Sequence, residues 1–289
     1  MAVDKTHLSI DQAETRGFLH RDYIAHCHRW TYVVKYLHLK ARYKTARILD
    51  IGCGRDLPLA RTLFTNRMAV EQYVGLDANK DGAFVDFNFG KMDANWYGGK
   101  EFPQAIGMDD VITDTIYKID DDEYELPNLI TSFEVLEHVE PAQCRAMIEA
   151  MFYMLAEDGV VICSTPVWDP KVGAAKNHLN EMTRDALGAV FEDVGFAVEE
   201  NFGTFASIKD YKPHLADAEA KILERLREYY DTNVLATIFA PMYPEYSRNN
   251  LWVLSRADLN YKRKFPELNE VEGPWTSSDK WEELDDEGL

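Results

Sequence analysis

Cysteine is scarce in this chain: four among 289 residues, at positions 27, 53, 144 and 163, with no CxxC spacing. That scatter excludes a disulfide framework or a zinc ribbon as the basis of the fold and points to a reducing compartment, so a cytoplasmic location is expected. Long apolar runs are missing too. No window approaches the roughly 20 apolar residues that a bilayer-spanning helix needs, so membrane insertion is not expected. The opening MAVDKTHLSIDQAE has no basic-then-apolar order, and no secretion signal is read in it. Positive charge is in short supply: 31 Lys and Arg stand against 50 Asp and Glu, a formal net charge of -19. Such a field repels polyanions, so a nucleic-acid partner is disfavoured and would need a local basic patch.

What is present is enough for a sizeable core, with 46% of residues hydrophobic. From about 10 to 45, Phe18, Tyr23, Ile24, Trp30, Val33, Val34 and Leu37 recur at helical spacing. Residues 1–45 are therefore expected to form a helical lid ahead of the first strand. From Ala46 the pattern alternates. ARILDIG reads as a buried strand, PLARTLFTN as a helix, QYVGLD and LPNLITSF as strands, and AQCRAMIEAMFYMLA as a helix. GVVICSTP then reads as a strand, TRDALGAVFEDVG as a helix and FAVEENFGTFA as a strand. Strand alternating with helix predicts an α/β fold, a doubly wound, mostly parallel sheet with helices on both faces. Two stretches break the rhythm and are expected as insertions, 94–128 with its acidic clusters and 209–247 with one helix before a last strand, NNLWVLSR. The domain then spans 46–257, and the polar, acidic residues 258–289 read as a flexible tail.

In a doubly wound sheet, ligands lie beyond the carboxyl ends of the strands. Asp50-x-Gly52-Cys53-Gly54 turns at such an end, and its glycines allow a ligand to approach the backbone. Asp77 ends the next strand, a position from which a carboxylate accepts both hydroxyls of a ribose. A dinucleotide site would want a third glycine and phosphate on the helix amino end. Here Asp56 would oppose a pyrophosphate. Asp93-Ala94 follows a short strand at about 83–92 and could accept the adenine amino group, with Asp86 as competitor. In LITSFEVLEHVEP an apolar strand runs into Phe133-Glu134 and Glu137-His138, which places charge at a cleft edge.

Taken in order, LDIGCG at 49–54, GLD at 75–77, MDA at 92–94, SFEVLEHV at 132–139 and LAEDGVVICSTP at 155–166 resemble the class I S-adenosylmethionine-dependent methyltransferases. The nearest likeness is to the ubiquinone-biosynthesis-type, small-molecule branch. The resemblance covers 46–206 and the late strand, and implies a Rossmann-like seven-stranded sheet. It also implies S-adenosylmethionine as methyl donor and S-adenosylhomocysteine as product. Asp50, Gly52, Cys53 and Gly54 would then hold the methionine portion, Asp77 and Ala78 the ribose, Asp93 and Ala94 the adenine edge, and Phe133 and Glu134 the floor near the sulfonium. Asp56 replaces the family's frequent third glycine, which leaves the contact to the donor carboxylate open, with Arg55 or Arg29 as candidates.

The acceptor is expected to be a small molecule methylated on oxygen or nitrogen. His178, Glu137 and His138 are the candidate catalytic residues if a proton must be removed, and Glu181 stands near His178. Their bland alternatives are helix capping and packing. Tyr23, Trp30 and Tyr32 could pack on an acceptor ring or belong to the core. His26-Cys27-His28 lacks the spaced partners of a structural zinc site, so no metal is expected there. FEVLEH is unlike the Asn/Asp-Pro-Pro-aromatic run that holds an exocyclic base amine, and no Pro-Cys pair is present, which disfavours DNA methylation. An RNA, cap or protein acceptor, or a non-catalytic scaffold that keeps the donor site, are the alternatives. Composition leaves homo-oligomerisation open.

Overall fold

The structure, a computed structural model, describes residues 20–41, 44–77, 84–91, 93–97 and 126–257. Residues 1–19, Ala78, most of the 94–128 insertion and the 258–289 tail lie outside the described residues. The strands are β1 (Ala46–Ile51), β2 (Val70–Leu76), β3 (Phe84–Asn88), β4 (Asp93–Tyr97), β5 (Leu129–Phe133), β6 (Val160–Pro166), β7 (Phe196–Ala206) and β8 (Ser247–Arg256). The helices are α1 (Arg21–Leu39), α2 (Pro58–Thr65), α3 (Pro141–Met154), α4 (Arg184–Val194), α5 (Ile208–Tyr211), α6 (Asp217–Leu226) and α7 (Thr232–Ile238).

All the strands join one eight-stranded sheet in the order β4-β3-β2-β1-β5-β6-β8-β7. β1 pairs in parallel with β2 and β5, and β5 with β6. The β2–β3, β3–β4, β6–β8 and β7–β8 pairs are antiparallel. β3 and β8 therefore run against the other strands of a mostly parallel, Rossmann-like sheet. The expected count of seven strands is corrected to eight by β4, because Asp93-Ala94 opens a strand instead of sitting in a loop. Asn88 explains the turn: its side-chain oxygen accepts from Gly90 N at 2.9 Å and Lys91 N at 3.0 Å, which folds DANWY back against β3.

Period-two patterning covers both faces. Leu49, Ile130, Val161 and Trp252 belong to one apolar cluster with Ile148 of α3 and Phe191 of α4. Ile48, Leu129, Ile162 and Val253, their neighbours in sequence, belong to a second with Val33 of α1 and Leu63 of α2. Adjacent residues thus point to opposite helical layers, as a sheet buried on both sides requires. α4 stops where expected, at Gly195 with φ 117°. The single helix expected between β7 and β8 is instead broken. α6 ends at Leu226, and Asp231 starts α7 by accepting from Asn233 N at 2.8 Å. A capping side chain inside the apolar periodicity offers the backbone a new start, and the periodicity cannot show it. Ala206, Tyr211, Leu223, Leu235 and Phe239 give this segment a small core of its own.

Candidate active site

Strand order reverses between β1 and β5, so the crevice of the fold opens beyond Ile51 and Phe133. Gly52 (φ 76°) and Gly54 (φ 68°) turn the chain out of β1. A Cβ on Gly52 would lie 2.2 Å from Val135 Cγ2. Both conditions exclude a side chain here, and the contact shows that the glycine turn and the end of β5 form one corner. Gly52 N and Cys53 N donate to Leu76 O at 2.7 and 3.0 Å, and Gly54 N donates to Asp77 Oδ2 at 2.8 Å. The Asp77 carboxylate is thereby fixed at the carboxyl end of β2, where a ribose would be recognised. An open glycine turn beside an oriented carboxylate fits a nucleoside donor with a short, side-chain-like arm.

Asp50 is placed differently from Asp77. It is 3% exposed, and its carboxylate accepts from Thr131 Oγ1 at 2.7 Å and from the Tyr73 hydroxyl. Burial pushes its pKa up to about 6, against the two hydroxyl donors that pull it down. It braces β1 between β2 and β5 from inside the sheet. Cys53 is buried against the second core cluster, with its thiol pKa raised by burial, and Phe133 belongs to the same cluster. Ala94 packs at that cluster's edge. For Asp93 only the backbone at the start of β4 is described.

Glu134 follows β5 with φ 59°, in a region that non-glycine residues rarely occupy. Its side chain explains the strain. The carboxylate accepts from Ser164 Oγ at 2.8 Å and from Asn249 Nδ2 at 2.9 and 2.7 Å, and Arg29 Nη2 lies 3.2 Å away. Arg29 comes from α1 and Asn249 from β8, so elements far apart in sequence hold this one residue. Glu134 thus joins a polar corner that also lines the cavity beyond it. Arg29 and Asn249 are the residues that sequence reasoning missed in this role. Paired asparagines at the head of an otherwise apolar strand were the one visible signal. Arg29 serves here as an ion-pair partner, while Arg55 is exposed.

Beyond Glu134 lies a cavity of about 520 Å³, whose wall includes Ala25, His26 and Arg29 of α1, with Glu137, His138 and His178. The 3-10 turn Leu136–His138 and the 175–181 loop are joined because Leu179 N and Asn180 N donate to Glu137 O at 2.7 and 3.0 Å. That bond pair brings two histidines 40 residues apart together, their ring centroids 4.8 Å apart at 81°. His138 Nδ1 meets Asn177 O at 3.0 Å, and His178 Nδ1 is hydrogen-bonded to Glu181, whose Oε1 also accepts from Ala175 N at 3.0 Å. His138 does not cap the following helix; Glu140 holds that position. Glu137 is 1% exposed, and among the described residues neither of its carboxylate oxygens has a hydrogen-bond partner. Burial, and Glu134 next to it, push its pKa well above the usual carboxylate range.

Other sequence candidates fall elsewhere. His28 faces Phe202 with its pKa lowered to about 4 by burial, whereas His26 stacks on Trp30 and lines the cavity. His26-Cys27-His28 therefore diverges and makes no common site. Tyr32 donates to Glu200 at 2.9 Å and packs on Phe202, which makes it a β7 contact. No described helix is long and apolar enough to cross a membrane.

The sequence profile of the family described as "Methyltransferase domain" matches residues 27–201, more than half of the chain. No curated protein is similar enough to match. Among solved structures, an S-adenosylmethionine-dependent methyltransferase from Archaeoglobus fulgidus is 13% identical, with 86% of this chain and 98% of that one covered and a TM-score of 0.48. PKMT2 from Rickettsia typhi, in complex with AdoHcy, is 13% identical over 82% of this chain and 54% of its own, with a TM-score of 0.42. The small RNA methyltransferase HEN1 is 16% identical, with 83% of this chain and 26% of that one covered and a TM-score of 0.43. Matched by the family profile from α1 into β7, the chain belongs to the methyltransferase domain family and is a class I S-adenosylmethionine-dependent methyltransferase.

Proposed function

We propose that this enzyme methylates an oxygen or nitrogen of a small molecule seated in the cavity beside β5. One observation carries the reading: Val135 touches the glycine turn while Glu134 and Glu137, its near neighbours, line the cavity, so donor and acceptor halves meet at one corner. A volume of about 520 Å³ suits a small ligand, and such sites fall within roughly 300–1,000 Å³.

Gly52, Gly54 and Asp77 would hold the donor, with Asp50 as a brace behind them. S-adenosylmethionine supplies an activated methyl group on a positively charged sulfur. The chain's own contribution is alignment and exclusion of water, which in-line displacement chiefly demands. His178 is assigned the acceptor proton. Its Nδ1 is held by Glu181, which fixes the ring and favours the imidazolium formed when the proton arrives. Glu137 and His138 stand beside it. Arg29 Nε, buried and without a hydrogen-bond partner among the described residues, offers the acceptor a donor from the α1 wall.

Calorimetric titration with S-adenosylmethionine and S-adenosylhomocysteine tests the donor half, with saturable binding of both expected. Labelled donor incubated with a cell extract tests the acceptor half after the extract is separated into small molecules, RNA and protein. Label in the small-molecule fraction supports the proposal. Label confined to RNA or protein overturns the acceptor class, and binding without any label transfer would favour a non-catalytic scaffold.

A further inference from the structure

Glu137 poses a problem that methyl transfer alone does not solve. A carboxylate 1% exposed, with neither oxygen hydrogen-bonded among the described residues, is costly unless something else faces it. The nearest cationic candidate, His138 Nε2, is 3.8 Å from Oε1, beyond hydrogen-bond reach. His178 completes the group, and one ligand atom from each of the three residues lies within 4.8 Å of the others. Glu134 is not available to join them, since Arg29, Ser164 and Asn249 hold its carboxylate.

We propose that Glu137, His138 and His178 bind a divalent cation at the acceptor end of the cleft. The inference rests on the functional reading above and adds to it a cation that no sequence spacing announced. Two imidazoles and one carboxylate suit Zn²⁺, Mn²⁺, Co²⁺ or Fe²⁺ better than Mg²⁺ or Ca²⁺, which favour oxygen-only shells. The surrounding contacts have the form that orients metal-binding histidines: Asn177 O on His138 Nδ1 and Glu181 on His178 Nδ1 turn the other ring nitrogens away from those anchors. Ligand atoms up to 4.8 Å apart must draw closer by as much as about an ångström to share metal bonds of about 2.0–2.2 Å, a rotamer-scale adjustment. Three protein ligands leave coordination positions toward the cavity, where an acceptor oxygen can bind and lose its proton more readily. The proton released from the acceptor passes to solvent water at the cavity mouth; His178 is a ligand when the cation is bound and the proton acceptor when it is not.

The experiment uses the full chain, stripped with chelator and checked by circular dichroism to remain folded. Mn²⁺ and Zn²⁺ are then titrated by calorimetry, with the Mn²⁺ signal followed by electron paramagnetic resonance. One equivalent per chain is expected. Glu137→Gln and His178→Ala should each weaken it about 10- to 100-fold. Asp77→Asn should leave cation affinity unchanged while weakening S-adenosylhomocysteine. A folded, stripped chain with no saturable binding overturns the proposal, as does a Glu137→Gln variant that binds as tightly as the parent. Methyl transfer that persists under chelation overturns the catalytic part of the cation reading while the methyltransferase stands. Cation binding without any S-adenosylhomocysteine binding would overturn the donor assignment and leave the cation site intact.

Discussion

The glycine turn after β1 and the histidine cluster after β5 lie on either side of one corner, yet their polar groups are satisfied in opposite ways. Around the turn, backbone and side chains satisfy one another: Gly54 N–H is on Asp77, Gly52 and Cys53 N–H are on Leu76 O, and Asp50 sits between two hydroxyls. Across the corner, Glu137 is buried, and among the described residues neither of its oxygens is hydrogen-bonded. A pre-satisfied backbone cradle recognises a constant ligand by shape. Unsatisfied side chains make a site that is complete only when occupied. In the proposed function the first half is the donor side and the second the reacting side.

The comparison breaks most sharply at Gly52. Gly52→Val must place a branched side chain at positive φ and within contact of Val135, so S-adenosylhomocysteine binding should fall below detection by calorimetry. Undiminished affinity would remove the turn from the donor site. His178→Ala sharpens the division from the other side. Label transfer should drop about 100- to 10,000-fold while S-adenosylhomocysteine affinity stays within twofold. If both fall together, the two halves are not separable.

Asp77→Ala removes the oriented carboxylate and should weaken S-adenosylhomocysteine about 10- to 100-fold, a loss of about 1.5–3 kcal/mol, with little change in the melting midpoint. Arg29→Ala acts on the corner itself. It leaves Glu134 with Ser164 and Asn249 alone, and urea unfolding should show about 2–3 kcal/mol of lost stability, below the full penalty for a broken buried pair because Glu134 is partly exposed. Adding Glu134→Gln should recover part of that loss; strict additivity would show that the pair is not coupled.

A pH-dependent effect tests the brace. The native Asp50 carboxyl, at about 6, keeps its proton across a window from about pH 4 to 6 in which the unfolded chain has lost it. This contribution is fully present below about pH 4 and is lost as pH rises through 6, at most about 3 kcal/mol. Asp50→Asn should flatten that slope, read as the difference in melting midpoint between pH 4.5 and 7.5. An unchanged slope would assign the pH dependence to other groups.

Local pattern determined much of this protein. The β1, β5, β6 and β8 apolar runs, the Gly52 and Gly54 turn, the Asp77 strand end and the Gly195 stop were all readable, because strand period, left-handed backbone and helix termination depend on neighbours in sequence. The β3–β4 hairpin and the break between α6 and α7 were not. Each turns on one side chain, Asn88 or Asp231, that competes for backbone hydrogen bonds against an unbroken apolar pattern. Tertiary structure alone decided the rest. His138 and His178 come together only because the amides of 179 and 180 pair with Glu137 O, and Glu134 is held by Arg29 and Asn249 from opposite ends of the domain. Such contacts depend on which loops the sheet order brings to one edge, and composition or spacing carries no record of that.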